Sequence, residues 1–148
     1  MSGDDALLAR AHDWLADDPD PDTREELDAV LAAVADGDAD AAADLADRFA
    51  GDLAFGTAGL RGRLGAGSNR MNLAVVIRCA AGIAAWLRET TGDDGARRGV
   101  VICFDARHRS ADFAQASAEV FAAAGIRALV LPGPLPTPVL AFAVRHLG

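Results

Sequence analysis

Val100-Val101-Ile102-Cys103-Phe104 and Ile126-Arg127-Ala128-Leu129-Val130-Leu131 are the two stretches that decide the fold. The first is a continuous apolar run, the pattern of a strand buried on both faces of a parallel sheet. The second reads the same way. Between them, Ser110 is placed to cap a helix that ends at Gly125. A helix joining two such strands predicts parallel neighbours with a right-handed crossover. Downstream, Pro132 to Pro136 reads as a rigid loop, and Thr137 caps a helix with Pro138 in its first turn. Upstream, Asn72 caps a helix over about residues 73–89, with Leu73, Val76, Ile77, Ala80, Ile83, Ala84 and Leu87 on its core side, and Thr91 to Arg98 reads as a polar loop. The order helix, strand, helix, strand, helix is α/β. Ligands of such sheets gather at the carboxyl ends of strands. Asp105, Arg107, His108 and Ser110 lie just past one end, and Thr137 past the other.

The first fifty residues read differently, as three short helices. Ser2 is placed to cap a helix containing Leu7, Leu8, Trp14 and Leu15, which breaks between Asp17 and Asp22 at Pro19 and Pro21. Thr23 and Glu26 make a capping-box pattern. Leu27, Val30, Leu31 and Val34 follow at helical spacing, and Gly37 is a stop. Asp38 caps a third helix with Leu45 and Phe49, ended by Gly51. Residues 1–51 are therefore expected to be a helical extension of a domain spanning 52–148, each helix packing through one apolar stripe.

Residues 1–50 carry fifteen acids and three arginines, net −12; the remainder carries seven acids and eleven arginines, net +4. The acidic half repels nucleic acid and anionic membranes, and the basic half suits a small anion. The acid excess itself is read as a solvated face. The chain has no lysine, which excludes a lysine Schiff base and a Walker-type phosphate loop. No apolar run reaches ~20 residues, so no membrane span is expected. The acidic start (Asp4, Asp5) lacks the basic region of a secretory signal, so the expected compartment is cytoplasmic. Cys79 and Cys103, inside apolar runs, read as buried free thiols. His12, His108 and His146 lack metal-ligand spacing and read as surface residues; no metal ligands are assigned within the chain. Trp14 and Trp86 read as core packing.

Phe55-Gly56-Thr57-Ala58-Gly59-Leu60-Arg61-Gly62 carries the chemistry. Its glycines let backbone N–H groups approach a ligand, and Arg61 offers a planar fork that matches phosphate oxygens. Thr57 and the backbone at Gly59 would support that phosphate. The alternative is a glycine-rich hairpin with one exposed arginine. Gly65-Ala66-Gly67-Ser68-Asn69-Arg70 is not a dinucleotide fingerprint, since arginine stands where the third glycine belongs. Asp105-x-Arg107 either holds a phosphate or forms a structural pair that shapes the loop to Ser110. The structural reading is preferred, and with it Arg107→Ala should chiefly lower the melting temperature.

These motifs stand in a known order. Phe55–Gly62 is followed by Gly65-x-Gly67-x-Asn69-Arg70-Met71-Asn72, by Phe104-Asp105-Ala106-Arg107-His108-x-Ser110 with Phe113, and by Pro136-Thr137-Pro138 with Phe142-Ala143-Val144-Arg145. Over about residues 10–148 the chain resembles the N-terminal domain of the α-D-phosphohexomutases, the phosphoglucomutase/phosphomannomutase superfamily. The leader, with Trp14 and Asp47-Arg48-Phe49, is most similar to the phosphoglucomutase/phosphopentomutase branch. The resemblance implies a mixed, partly parallel sheet sandwiched by helices, with the helical extension at its N-terminus. It implies an isomerase that moves a phosphoryl group through a phosphoserine, interconverting glucose 1-phosphate and glucose 6-phosphate. Phosphomannomutase and phosphopentomutase remain alternatives, as does a non-catalytic domain binding phosphosugars or a protein partner. The family's serine lies in a Thr-Ala-Ser-His-Asn-Pro loop that would fall beyond Gly148. The chain is thus expected to be the first domain of a longer enzyme, inactive alone. Magnesium and a glucose 1,6-bisphosphate activator are implied for the whole enzyme, with ligands outside this chain. The expected partners are the sugar phosphate, the rest of its own polypeptide and, through exposed apolar surface, a second copy.

Overall fold

The computed structural model describes residues 3–57 and 59–147; the expected cap at Ser2 lies outside them. Two compact units divide the chain, Met1–Val75 and Val76–Gly148.

In the first unit, helices α1 (Gly3–Asp17), α2 (Pro21–Ala35) and α3 (Ala39–Arg48) precede a small antiparallel pair, β1 (Phe55–Gly56) and β2 (Gly59–Leu60). Asp18 organises the first turn. Its carboxylate accepts from the Trp14 indole at 3.2 Å, the Asp20 amide at 3.0 Å and the Thr23 hydroxyl at 2.8 Å. Asp18 and Asp20 are buried, so these two acids are internal acceptors rather than part of a solvated face. Asp20 is the N-cap of α2, accepting from the Asp22 amide, with Pro21 in the first turn. The capping box expected at Thr23 and Glu26 is therefore not formed: Pro21 starts the helix earlier, which frees Glu26 for another role. Asp38 caps α3 as expected, accepting from the Asp40 and Ala41 amides. Leu27, Leu31, Leu45 and Ala11 are buried, and Trp14 meets the Phe49 ring edge-on at 6.0 Å.

Helix α4 (Leu73–Arg98) takes its first three residues from the first unit and the rest from the second. It is followed by β3 (Val100–Phe104), α5 (Ser110–Ala123), β4 (Ala128–Pro134) and α6 (Thr137–Leu147). Strands β3 and β4 pair in parallel, Val100 with Ala128, Val101 with Leu129 and Ile102 with Val130, as the α/β reading requires. The parallel and antiparallel pairs are separate two-stranded sheets. The core packs Ala80, Ala84 and Ala96 of α4 against Phe121 and Ile126, with Val100, Ile102 and Ala128 from the strands.

Four expectations need correction. Thr91–Arg98 is helical rather than a loop, apart from Gly92, whose φ of 60° breaks the run. Asp94 pairs with Arg97 and Arg98 at three- and four-residue spacing, which favours helix. Pro132–Pro134 belongs to β4, with a register irregularity before Phe104 pairs with Pro134; a proline tolerates extended backbone where no ladder donor is needed. β3 is half-buried along its length rather than buried on both faces. Trp86 is 60% exposed. It lies two positions, about 200° of helix rotation, from buried Ala84, so both cannot face the core.

Leu27→Ala should cost about 2–5 kcal/mol, since Leu27 is fully enclosed. Denaturant unfolding followed by helical circular dichroism checks this.

Candidate functional site

The glycine-rich stretch folds as a hairpin. Phe55 pairs with Leu60 and Gly56 with Gly59, so the chain reverses between the two glycines. Gly59 has a φ of 91°, a left-handed value that favours glycine. Thr57 and Arg61 are exposed. Among the described residues, no hydrogen bond or ion pair engages the Arg61 guanidinium. The structure thus places Thr57, Gly59 and Arg61 on one short hairpin; Ala58 lies outside the described residues.

Both stems of the hairpin are tied to the following loop. The Leu53 amide donates to Ser68 O at 2.9 Å, and the Met71 amide to Arg63 O at 2.8 Å. A Cβ at Gly62 would meet Leu53 at 2.7 Å, so the stems close on each other there. Asn72 is buried and does more than cap α4. Its Oδ1 accepts from the Val75 amide, and its Nδ2 donates to Gly65 O and Gly67 O at 2.9 and 2.8 Å.

The loop in turn is clasped by the helical leader. Arg48 Nη1 donates to Ala66 O at 3.2 Å, while Glu26 accepts from the Ala66 amide at 3.1 Å. Arg48 also pairs with Glu26 and with Asp44, each at 2.7 Å. Arg70, almost wholly buried, pairs with Asp47 at 2.6 Å and Asp44 at 3.5 Å. Burial disfavours the charged forms of Asp44 and Arg48, yet their mutual hydrogen bond and the surrounding opposite charges win. Asp44 is held below its ordinary value and Arg48 above. The leader therefore joins the loop through ions as well as apolar stripes. Sequence reasoning missed this network, although Asp47-Arg48 and Asn69-Arg70 were both visible as motif residues.

The strand-end motif lies in the other unit. Asp105 accepts from the Arg107 amide at 3.0 Å and from Arg107 Nε at 2.7 Å, and these bonds hold its carboxyl below the usual range. The pair is a surface one: Arg107 is 85% exposed and Asp105 45%. Removing the Arg107 side chain leaves the main-chain donor in place, so the melting temperature should change little, contrary to the expectation from sequence. Ser110 is the first residue of α5 and not its cap; its hydroxyl accepts from the Asp105 amide at 3.3 Å. Arg109 holds the cap position with a φ of 65°. The thiols of Cys79 and Cys103 are free and half-buried, and burial pushes that of Cys79 up, away from the reactive thiolate. His12, His108 and His146 are exposed.

Residues 52–148 match the phosphoglucomutase/phosphomannomutase alpha/beta/alpha domain I. A probable phosphoribomutase of Schizosaccharomyces pombe is 35% identical over 98% of the chain, which covers 24% of that protein. A human phosphopentomutase is 36% identical over 98% of the chain, again covering 24% of the relative. A phosphoglucomutase of Staphylococcus saprophyticus is 43% identical over 67% of the chain and 17% of its own length is covered. The chain thus spans a quarter or less of the length of these relatives. No solved structure matches. The chain belongs to the phosphoglucomutase/phosphomannomutase family, as a domain I.

Two outcomes are expected. Gly67, at a φ of 113°, would bring a Cβ within 2.6 Å of Arg48 O. Gly67→Ala should therefore destabilise by about 1–3 kcal/mol, read by thermal unfolding. Because the folded Asp44 value lies below the ordinary 3.8, its stabilisation is present above that pH and is lost as pH falls through the folded value. The stability gap between the natural chain and Asp44→Asn should be clear at pH 7 and shrink toward pH 3, as urea titrations at the two pH values would show.

Proposed function

We propose that this chain supplies a phosphate-handling part of a sugar-phosphate mutase acting on glucose 1-phosphate and glucose 6-phosphate. The observation that carries the reading is Arg61, an exposed guanidinium engaged by no described residue, on a glycine-rich hairpin within the stretch that matches the family's domain I. In the mechanism the resemblance implies, a sugar hydroxyl attacks the phosphorus of a phosphoserine and the serine oxygen leaves, the hydroxyl's proton ending in sum on the serine. The bisphosphate reorients and its other phosphoryl group returns to the serine. Such transfer depends on positioning and on neutralising charge over the phosphoryl oxygens. Arg61 suits that task, since a charge-assisted hydrogen bond contributes about 1.5–3 kcal/mol. The Thr57 hydroxyl and the backbone at Gly59 would add donors. Among the described residues, no group of three or more His, Cys, Asp or Glu is placed to hold a metal.

A pentose phosphate is the second reading. The relatives named phosphoribomutase and phosphopentomutase align over 98% of the chain, leader included, whereas the staphylococcal phosphoglucomutase aligns over 67%. The ratio of kcat/KM for glucose 1-phosphate and ribose 1-phosphate in the whole gene product separates the two. Turnover of neither, nor of any other hexose or pentose phosphate such as mannose 1-phosphate, with sugar-phosphate binding retained, would favour the non-catalytic alternative and end the mutase reading. The 148 residues alone should show no turnover.

Arg61→Ala in the whole gene product should lower turnover at least about tenfold, since ~1.4 kcal/mol is a factor of ten. Its melting temperature should stay nearly constant. Unchanged kinetics would remove Arg61 from the phosphate role.

A further inference from the structure

The Gly65–Asn72 loop is the pivot between the leader and the hairpin, and one side chain of the leader touches it at several points. Arg48 ends α3 with its side chain 11% exposed. Its Nη1 donates to Ala66 O, its Nη2 and Nε reach Glu26 and Asp44, and its own carbonyl accepts from the Asn69 amide at 2.9 Å. Glu26 closes a ring by accepting from the Ala66 amide. Neighbouring bonds repeat the grip: Asn69 Nδ2 donates to Asp47 O and the Ser68 hydroxyl to Gly51 O, at 2.9 and 2.7 Å. Gly65 and Gly67 have positive φ; a Cβ at Gly67 would run into Arg48 O at 2.6 Å, and one at Gly65 would sit tightly against Glu26 and Arg48 at 3.0 and 3.1 Å. The loop's own shape is therefore fitted to this arginine.

From the loop the constraint passes to the hairpin by two short bonds, Leu53 N–H to Ser68 O on one stem and Met71 N–H to Arg63 O on the other. Neither the hairpin's two residue pairs nor its exposed turn can fix its direction unaided; isolated two-stranded hairpins are marginal in water.

We propose that Arg48 is a positioning residue, which fixes the Gly65–Asn72 loop and through it both stems of the hairpin carrying Thr57 and Arg61. The planar fork is what the position uses. It meets a carbonyl and two carboxylates at once, and a lysine ammonium on a flexible stem cannot reproduce that geometry. The leader is then part of the machinery that aims the hairpin. The kinetic part of the test rests on the phosphate role proposed for Arg61; the exchange part does not.

The test compares Arg48→Lys and Glu26→Gln in the whole gene product, by hydrogen exchange with mass spectrometry and by mutase kinetics. Glu26→Gln keeps an acceptor for the Ala66 amide and loses the charge facing Arg48. Both variants should exchange residues 52–72 at least fivefold faster than the natural protein, with α1 and α2 unchanged. Trypsin should cut after Arg61 and Arg63 correspondingly faster. The kcat for a sugar phosphate should fall about tenfold, and Arg48→Lys should give no rescue. Unchanged exchange over 52–72 in both variants, or natural behaviour of Arg48→Lys, overturns the proposal. So does loosening of α1 and α2 in parallel with the loop, which marks a merely structural role. If exchange behaves as expected but the natural protein turns over no sugar phosphate, positioning stands and the mutase reading fails.

Discussion

The contact between Arg48 and the backbone at Ala66 is the constraint on which the first unit depends. A guanidinium is costly to bury unless all its donors are used. Here each of its three nitrogens has a partner, one carbonyl and two carboxylates, and the same residue's main-chain carbonyl takes the Asn69 amide. That requirement dictates several features at once. Glu26 must face inward from α2, which the early start of that helix at Pro21 permits. Residues 65 and 67 must lack side chains. Asp44 must serve two arginines, Arg48 and Arg70, one turn from each other's partners.

This changes what the Gly65-x-Gly67 pattern means. Glycine pairs near a helix start suggest close approach of a ligand's phosphate, and the missing third glycine argued only against a dinucleotide. The approach is real, but what approaches is Arg48 O and the Arg48 side chain. Asn72 completes the turn by holding the Gly65 and Gly67 carbonyls while capping α4. The second glycine cluster is therefore internal architecture, whereas in the hairpin before it Thr57 and Arg61 are exposed.

Much of the second unit was legible in the sequence because local signals there agree with the tertiary outcome. Two apolar runs bracketing a helix gave parallel strands; in the first unit, Asn72 and Asp38 likewise cap helices as their types predict. The misreadings share a cause. Thr91–Arg98 has loop-like composition, but its acids and arginines are ordered to suit a helix. Trp86 has a core residue's chemistry at a position that helix geometry turns outward. Ser110 has a cap's chemistry one residue too late, because left-handed Arg109 already turns the chain. The Arg48 network was illegible for a different reason. Its ends lie up to 40 residues apart, and no periodicity reports which of fifteen acids in the leader will meet an arginine.

The charge imbalance finally reads differently in three dimensions. A leader of net −12 would work against the phosphate role proposed for the hairpin. Yet several of its acids are engaged at the loop: Glu26, Asp44 and Asp47 pair with Arg48 and Arg70. Asp18, Asp20 and Asp38 accept backbone or side-chain hydrogen bonds within the leader. A paired carboxylate projects a dipole's field, which decays faster than a lone charge's. The remaining exposed acids are screened over a Debye length of about 8 Å at physiological salt. Arg61, with no described partner, keeps its full charge. The ion pairs that hold the loop thus also offset the charge of Glu26, Asp44 and Asp47, three of the leader's acids.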